Sequence, residues 1–239
     1  MAAIIAAGGL GSRFSGSKPK QRNLLGGVPI YQWSLARFLE HSAIDAVVVV
    51  SHVTILGELE KEIEEIMKSS KLYKLSLVAG GQTRQESVYL GLKHLQSLNQ
   101  VPEYVLVHDA ARPFVDNSMI DRTIQAVKSD NACTVGLPVA DTIKRVKNGL
   151  VTETLDRSEL YAVHTPQAAK LDLLLTAHEC ARRDGVSVTD DAALLELNGS
   201  EVKIIPSHRY NIKITVPEDL ALCESISHMF IGQINECPS

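Results

Sequence analysis

The chain has 239 residues and a net charge of −4, which allows one large α/β domain and excludes a broad surface for nucleic acid. Hydrophobic residues make up 45% of it and charged residues 22%, as is typical of a globular protein with a buried core. Its four cysteines are scattered, and neither a secretory signal nor an apolar run of about 20 residues is present. These features predict a cytoplasmic protein that does not act at a membrane, although removal of a transit peptide is left open.

Short apolar runs alternate with helical patterns along the first 140 residues. Strands are predicted at 2–7, 44–50, 74–78, 104–108 and 133–139, and helices at 30–41, 55–67, 86–98 and 119–127. This alternation predicts an α/β fold of Rossmann-like type, with a mostly parallel sheet and helices on both of its faces.

The alternation breaks between residues 141 and 155. Two β-branched segments flank Asn148-Gly149, a pair that favours a two-residue hairpin turn. A hairpin inserted into an α/β sheet has no obvious place in the core. We therefore predict a projecting arm at about 138–160 on a single domain of residues 1–239, and such arms often join the subunits of a dimer.

The remaining elements follow the arm. Helices are predicted at 168–183 and 192–197, and strands at 202–205 and 211–215. The last helix is predicted to begin with Thr215 as its cap, Pro217 in its first turn and Glu218 three residues after the cap.

A glycine turn with neighbouring cations follows the first strand. Gly8, Gly9 and Gly11 allow a tight turn whose amides approach an anion. Three cations follow within eight residues, namely Arg13, Lys18 and Lys20. This pattern suits a polyphosphate whose α-phosphorus is attacked. The spacing fits neither a P-loop nor a dinucleotide fingerprint.

Two more polar segments lie at predicted strand ends. Gly80-Gly81 follows the strand at 74–78, and Asp109 and Arg112 follow the strand at 104–108. In parallel sheets ligands bind beyond the carboxyl ends of the strands. The glycine turn and both of these segments therefore predict a single binding rim.

Several of these residues also have plain structural interpretations. Ser87 fits a surface hydroxyl in the first turns of a helix, and Arg157 fits a local ion pair with Asp156. For the Thr-Asp-Asp run at 189–191 we favour helix capping over a metal site. His108 is expected to pack under the loop that follows it. Arg22 and Lys18 also fit solvated surface charges.

The motifs together resemble one enzyme family from end to end. They are Ala6 to Arg13, Pro19-Lys20-Gln21, Gly80-Gly81 with Arg84 and Ser87-Val88, residues 107–113, Pro138 with Asp141-Thr142 and Lys144-Arg145, Asp156-Arg157, Thr165-Pro166-Gln167, residues 189–192, and Asn211-Ile212-Lys213 with residues 217–220. The family is that of the methylerythritol phosphate cytidylyltransferases of the non-mevalonate isoprenoid pathway.

The resemblance implies a reaction and its partners. The phosphate of methylerythritol 4-phosphate, a sugar-alcohol phosphate, would attack the α-phosphate of CTP and release pyrophosphate. Mg2+ would be carried by the CTP phosphates, with no metal ligand from the protein. The chain would be a homodimer whose arm crosses to the other subunit. A phosphate monoester is already an anionic nucleophile, so charge neutralisation matters more than a base.

The resemblance also assigns roles to residues. Those implied in catalysis are Arg13 and Lys20, at the pentacoordinate α-phosphate, and Arg157 and Lys213, at the methylerythritol phosphate. The nucleotide-binding set is Ala7, Gly8, Gly9, Gly11, Gly81, Ser87, Asp109 and Ala110. Arg112, Thr142 and Thr165 match the pocket around the sugar phosphate, and Thr142 and Arg157 would serve the neighbouring subunit. Gln82 stands where the family usually has an acidic residue, which leaves the cytosine contact there open.

Three other functions remain as alternatives. A ribitol 5-phosphate cytidylyltransferase shares the glycine turn and the cations, but its relatives tend to carry other residues between Asp109 and Arg112. A non-catalytic nucleotide-binding protein would not need the cations gathered at Arg13, Lys20 and Lys213. A dehydrogenase is the weakest alternative.

Overall fold

The computed structural model describes residues 1–8, 22–70 and 74–230. The strands are β1 (Ala2–Ala7), β2 (Leu24–Leu25), β3 (Val28–Pro29), β4 (Ala46–Ser51), β5 (Leu75–Ala79), β6 (Tyr104–Asp109), β7 (Ala132–Pro138), β8 (Lys144–Lys147), β9 (Leu150–Thr154), β10 (Tyr161–Lys170) and β11 (Lys203–Pro206). The helices are α1 (Ile30–Glu40), α2 (Leu56–Ser70), α3 (Arg84–Gln96), α4 (Asn117–Asp130), α5 (Leu171–Asp184), α6 (Asp191–Leu197) and α7 (Pro217–Ser227).

Seven strands form the central sheet, in the order β11-β7-β10-β6-β1-β4-β5. All neighbouring pairs are parallel except the two that involve β10. The mostly parallel α/β sheet predicted from the sequence is therefore confirmed.

Apolar side chains on the two faces of the sheet pack against different helices. Along β1, Ala3 and Ile5 join a core cluster that includes residues of α1, α2 and α4. The alternate residues Ala2 and Ile4 join a second cluster with residues of α3, α5 and α6. Successive strand side chains point to opposite faces, so an all-apolar strand such as β1 can serve both layers. The prediction of helices on both faces is confirmed.

The strand β10 corrects one prediction. Residues 168–170 were assigned to the start of a helix, but they end a ten-residue strand, and α5 begins only at Leu171. β10 lies antiparallel between β6 and β7. The buried pairing with two neighbours outweighs the helix preference of Ala168 and Ala169, because propensity is weaker than tertiary context.

The predicted hairpin is formed by β8 and β9. Asn148 and Gly149 have φ angles of 51° and 79°, the left-handed conformation that a two-residue hairpin turn requires. Every residue of the two strands is exposed. Three of them are large and apolar: Val146 is 55% exposed, Leu150 73% and Val151 61%. This surface suits contact with another protein surface.

Two predictions near the end of the chain are wrong in detail. Residues 211–215 form no strand, because their polar groups bond to other segments, as when the Ile214 amide donates to the Ala111 carbonyl at 2.9 Å. The helix α7 has Pro217 in its first turn, as predicted, but its N-cap is Val216 and not Thr215, and the acidic capping residue is Asp219 and not Glu218. Asp219 Oδ2 accepts from the amides of Thr215 at 2.7 Å and Val216 at 3.0 Å. Within the described ranges, each helix is too short or too polar to cross a lipid bilayer.

Candidate active site

The carboxyl ends of four parallel strands meet at one rim. Ala7 pairs with Ser51, Ser51 with Ala79, and Ala6 with Asp109. The amide of Gly80 donates to the Ser51 carbonyl at 2.7 Å, and that of Ala110 to the Ala6 carbonyl at 3.1 Å. The single rim predicted from the sequence is confirmed for the segments that the structure describes.

Ser87 lies at the junction of these strand ends and is only 2% exposed, so it is not a surface hydroxyl. It donates to the Thr83 carbonyl at 2.9 Å and accepts from the Gly81 amide at 3.2 Å. A Cβ atom at Gly80 would lie 2.7 Å from Ser87 Oγ, and one at Gly8 would lie 3.0 Å from it. Glycine is therefore needed at both turns, and Ser87 holds the Gly81 turn in place.

Asp109 is clamped between two cations at the end of β6. Its Oδ1 lies 2.8 Å from Arg84 Nε, and its Oδ2 lies 2.6 Å from Lys213 Nζ. Burial alone would raise the pKa of Asp109, but the charges of Arg84 and Lys213 outweigh it and hold the pKa far below its usual range. Asp109 is therefore a fixed anion that orders both cations.

Arg84 joins this clamp to a second buried carboxylate. Its Nη1 lies 2.8 Å from Asp191 Oδ2, and Asp191 Oδ1 lies 3.3 Å from His178 Nε2. Asp191 and His178 are almost wholly buried. No sequence motif predicted this connection. The feature that could have indicated a buried polar partner is His178, a polar residue on the apolar face of α5 beside Leu174, Leu175 and Ala181.

A cavity of about 190 Å3 opens beside the clamp. It is lined by Arg84, Asp109, Arg112, Val163, His164, Thr165, Gln167, Thr189, Asp190 and Lys213. Four predicted site residues, Asp109, Arg112, Thr165 and Lys213, thus come together from three separate segments of the chain.

Arg112 is held by the segment that carries Lys213. Its Nη1 donates to the Asn211 carbonyl at 2.7 Å, while Asn211 Nδ2 donates to the Thr165 carbonyl at 2.8 Å. Asn211 is fully buried. Arg112 Nε is buried without a hydrogen-bond partner among the described residues.

Gln167 lines the cavity and joins several of its polar groups by hydrogen bonds. Its Nε2 lies 3.0 Å from Thr134 Oγ1 and 2.7 Å from Asp190 Oδ2. Its Oε1 accepts from the amides of Asp191 at 2.8 Å and Ala192 at 3.1 Å. Asp190 also caps α6 by accepting from the Ala193 amide at 3.2 Å, as the preferred interpretation of this run predicted.

His108 packs under the rim loop, as predicted. Its Nε2 lies 3.0 Å from the Arg112 carbonyl, and its Nδ1 lies 3.2 Å from Thr165 Oγ1. Thr165 Oγ1 accepts from the Asp109 amide at 3.0 Å, so its own hydrogen is available to His108 Nδ1. Burial lowers the pKa of His108 to about 4. The ring is therefore neutral near pH 7 and has no nitrogen free to act as a base.

The neutral His108 predicts acid sensitivity. An unfolded chain protonates this histidine below about pH 6.5, while the folded protein resists protonation until about pH 4. When the pH is lowered from 7 to 5, we expect this histidine to reduce the free energy of unfolding by about 2 kcal/mol. Denaturant unfolding at both pH values measures the loss. The His108→Gln protein should lose less unfolding free energy over the same pH range. An equal loss in the wild type and the variant would contradict a neutral, buried His108.

The other predicted site residues lie apart from the cavity. Thr142 and Arg157 are exposed on the arm and do not line it. Arg157 donates to the Ala140 carbonyl, and Asp156 accepts from Ser158, so the structure shows no local pair between Arg157 and Asp156. Gly9, Gly11, Arg13, Lys18 and Lys20 lie outside the described residues. Arg22 is not a solvated charge, because it pairs with Glu58 and Glu62 of α2.

Comparison with known proteins identifies relatives over almost the whole chain. The profile of the family described as IspD: 2-C-methyl-D-erythritol 4-phosphate cytidylyltransferase matches residues 1–228. The enzyme of that name from Bacillus mycoides is 40% identical over 228 residues, covering 95% of this chain and 97% of its own. That from Halalkalibacterium halodurans is 40% identical over 227 residues, covering 93% and 95%.

Solved structures agree with these sequence relatives. The 4-diphosphocytidyl-2C-methyl-D-erythritol synthase of Anaerococcus prevotii has a TM-score of 0.80 at 28% identity, covering 95% of this chain and 97% of its own. The 2-C-methyl-D-erythritol 4-phosphate cytidylyltransferase of Thermus thermophilus has a TM-score of 0.76 at 30% identity, covering 95% and 98%. Fold, rim and relatives together define a nucleotidyltransferase.

Within that class the chain belongs to the IspD family, the 2-C-methyl-D-erythritol 4-phosphate cytidylyltransferases. Its reaction is the CTP-dependent transfer of a cytidylyl group to 2-C-methyl-D-erythritol 4-phosphate, in the isoprenoid pathway. The relatives described above carry the methylerythritol name, which favours this acceptor over ribitol 5-phosphate.

Proposed function

We propose that the cavity beside Asp109 holds methylerythritol 4-phosphate and presents its phosphate for in-line attack on the α-phosphorus of CTP. The observation that carries this proposal is the ammonium of Lys213, fixed 2.6 Å from Asp109 Oδ2 at the cavity wall. A phosphate oxygen can replace Asp109 as its partner, because Arg84 continues to neutralise that carboxylate. The Lys213 ammonium is thus positioned before the substrate arrives, which lowers the free-energy cost of ordering this side chain during the reaction.

CTP would lie along the rest of the rim. The carboxyl ends of β1 and β5 place Gly8 and Gly81 on either side of Ser87. Ser87 already donates its hydrogen to Thr83, so we propose that it supports the cytosine site by fixing the Gly81 backbone. Arg13 and Lys20 keep their predicted roles at the α-phosphate as part of the proposal.

We also propose that Mg2+ travels with the CTP phosphates. Among the described residues, no three His, Cys, Asp or Glu side chains cluster in a way that could hold a metal ion. Both oxygens of Asp109 are already engaged by cations. Mg2+ is commonly held through substrate phosphates together with one or two carboxylates, which supports this part of the proposal. When bound, the ion would reduce the negative charge on the phosphates.

Charge balance at the cavity supports a contribution from a second subunit. Arg84, Arg112 and Lys213 are matched by the three carboxylates of Asp109, Asp190 and Asp191. These are charges of the described residues alone, and a phosphate monoester adds negative charge that a further cation would help to neutralise. Arg157 on the arm would supply one such cation from a partner subunit, and the exposed apolar residues of the arm strands would form the contact surface. In this proposal the protein is a homodimer.

Mixed subunits test this arrangement. Arg157→Ala and Lys213→Ala proteins should each have little activity, because each homodimer lacks one cation at both sites. A refolded equal mixture should recover about a quarter of the wild-type rate, since half of its dimers would contain one complete site. No recovery in a confirmed mixed dimer would mean that the arm acts within its own subunit.

The proposal includes a cytoplasmic location and a single domain. Three cysteines within the described residues, Cys133, Cys180 and Cys223, are free, which suits the reducing environment of the cytoplasm. Residues 1–239 would form one cytidylyltransferase domain with the arm at about 138–160.

Pyrophosphate release tests the function directly. The protein is incubated with CTP and Mg2+ and with either methylerythritol 4-phosphate or ribitol 5-phosphate. We expect release with the first acceptor and little with the second. Release with ribitol 5-phosphate alone would change the acceptor, and release with neither in a folded protein that binds CTP would favour a nucleotide-binding protein.

A further inference from the structure

His164 lines the cavity, and neither the motifs nor the proposed reaction gives it a role. It lies on β10 next to an irregularity: His164 pairs with Val135, while Gln167 pairs with Thr134, the adjacent residue of β7. In a regular strand the neighbours His164 and Thr165 would point to opposite faces. The irregularity between them and Gln167 allows both side chains to border the same cavity.

Ser207 fixes one nitrogen of the His164 ring, Nδ1, by a hydrogen bond. Nδ1 lies 2.9 Å from Ser207 Oγ, and Asn211 Nδ2 lies 3.4 Å from the same oxygen. Because Asn211 can only donate there, Ser207 accepts from it and keeps its own hydrogen for His164 Nδ1. This arrangement places the ring hydrogen of a neutral His164 on Nε2.

The surroundings keep the ring neutral. Burial, together with the smaller effects of the nearby charges of Arg112 and His208, lowers the pKa of His164 to about 4. His208 is itself 3.4 Å from Asp116. Among the described residues, Nε2 of His164 has no hydrogen-bond partner. The cavity therefore contains an uncharged donor beside Arg112 that is not yet used.

We propose that His164 is a further substrate-binding residue, whose Nε2–H donates a hydrogen bond to an oxygen of the bound methylerythritol phosphate. This inference rests on the proposed function of the cavity. The sugar-alcohol phosphate is the expected partner because Arg112, Thr165 and Lys213 border the same space. A neutral donor can hydrogen-bond to a substrate oxygen without placing a second positive charge next to Arg112.

Three substitutions separate this contact from a structural role. His164→Asn keeps a polar atom near the Nδ1 position that can reach Ser207 but removes the donor at Nε2. His164→Gln places an amide nitrogen near the Nε2 position. His164→Phe keeps the ring's shape and removes both nitrogens. His228→Asn, at the exposed end of α7, is the matched control.

Steady-state kinetics of pyrophosphate release, with each substrate varied in turn, gives the test. We expect His164→Asn and His164→Phe to raise KM for methylerythritol 4-phosphate about 5- to 10-fold, the range for one hydrogen bond. KM for CTP should stay unchanged, and His164→Gln should recover most of the loss. His228→Asn should match the wild type.

Different results would overturn the proposal. A wild-type KM for methylerythritol 4-phosphate in both His164→Asn and His164→Phe would exclude the contact. An equal rise in KM for CTP, or a failure of His164→Gln to recover in folded protein, would indicate a structural role only. If the wild-type protein itself shows no activity with methylerythritol 4-phosphate, the proposed function fails and this inference fails with it.

Discussion

Replacement of Lys213 by alanine should lower kcat/KM for methylerythritol 4-phosphate by about 100- to 1,000-fold, the usual cost of removing a positioned charge donor. Lys213 Nζ is held at the cavity wall by Asp109, 2.6 Å away. Without it, the approaching phosphate meets the Asp109 carboxylate with one cation fewer between them. Pyrophosphate release at varied concentrations of the acceptor measures the effect.

The fold should survive this change. The Lys213 side chain is 38% exposed, and Asp109 keeps its pair with Arg84. Lys203→Ala, on the exposed surface of β11, is the matched control and should retain wild-type activity. A Lys213→Ala protein with kcat/KM within a few-fold of wild type would remove Lys213 from the proposed site.

Replacement of Arg84 by methionine should have the largest effect on stability. Among the residues that the structure describes, only Arg84 contacts both buried carboxylates, Asp109 at 2.8 Å and Asp191 at 2.8 Å. Methionine keeps much of the side-chain volume but leaves two buried negative charges with less compensation. We expect a loss of about 3–5 kcal/mol in the free energy of unfolding, as found when one partner of a buried ion pair is removed. Denaturant unfolding at pH 7 measures it.

The effect of Arg84→Met should also depend on pH. In the native protein, pairing holds the pKa values of Asp109 and Asp191 below their usual range, so its stabilisation is present above the unfolded pKa and is lost as the pH falls through the folded pKa. In the variant the loss of Arg84 moves both pKa values upward, so protonation removes part of the uncompensated negative charge. The difference in stability from wild type should therefore narrow as the pH is lowered.

A surface pair provides the control for this prediction. Arg183 lies 2.7 Å from Asp184 at the end of α5, and both side chains are exposed. Exposed pairs contribute little, so Arg183→Met should leave the unfolding curve unchanged. If Arg84→Met unfolds like Arg183→Met, the buried network does not stabilise the fold.

The parts of the fold that sequence predicted depend on local patterns. Apolar β-branched runs marked the parallel strands, and Asn148-Gly149 marked the arm turn because few other pairs adopt two positive φ angles. β10 was missed for a physical reason. It contains Pro166, its apolar start is only three residues long, and its buried end is rich in alanine. Its position depends on hydrogen bonding to both β6 and β7. This tertiary pairing is not visible in the local sequence.

The candidate site divides in the same way. Asp109 and Arg112 were predicted because they follow a clear strand, where α/β sheets bind ligands. The Arg84–Asp109 pair joins residues 25 positions apart, and Arg84 reaches Asp191 across a still longer separation. Such pairings depend on how α3 and α6 pack on the sheet. His164 was missed because its place in the cavity depends on the irregularity in β10.

The course of β10 has a consequence for backbone dynamics. Within one strand the chain passes from exposed residues at Tyr161 to Val163 into fully covered residues from Thr165 to Ala169. Amide protons should therefore exchange with deuterium rapidly near Tyr161, where β10 follows the arm, and slowly towards Ala169, where β6 and β7 both flank the strand. A second subunit covering the arm would slow exchange only at the outer end of this gradient. Deuterium uptake followed along β10 at increasing protein concentration would thus report association of subunits while the inner amides serve as an internal reference.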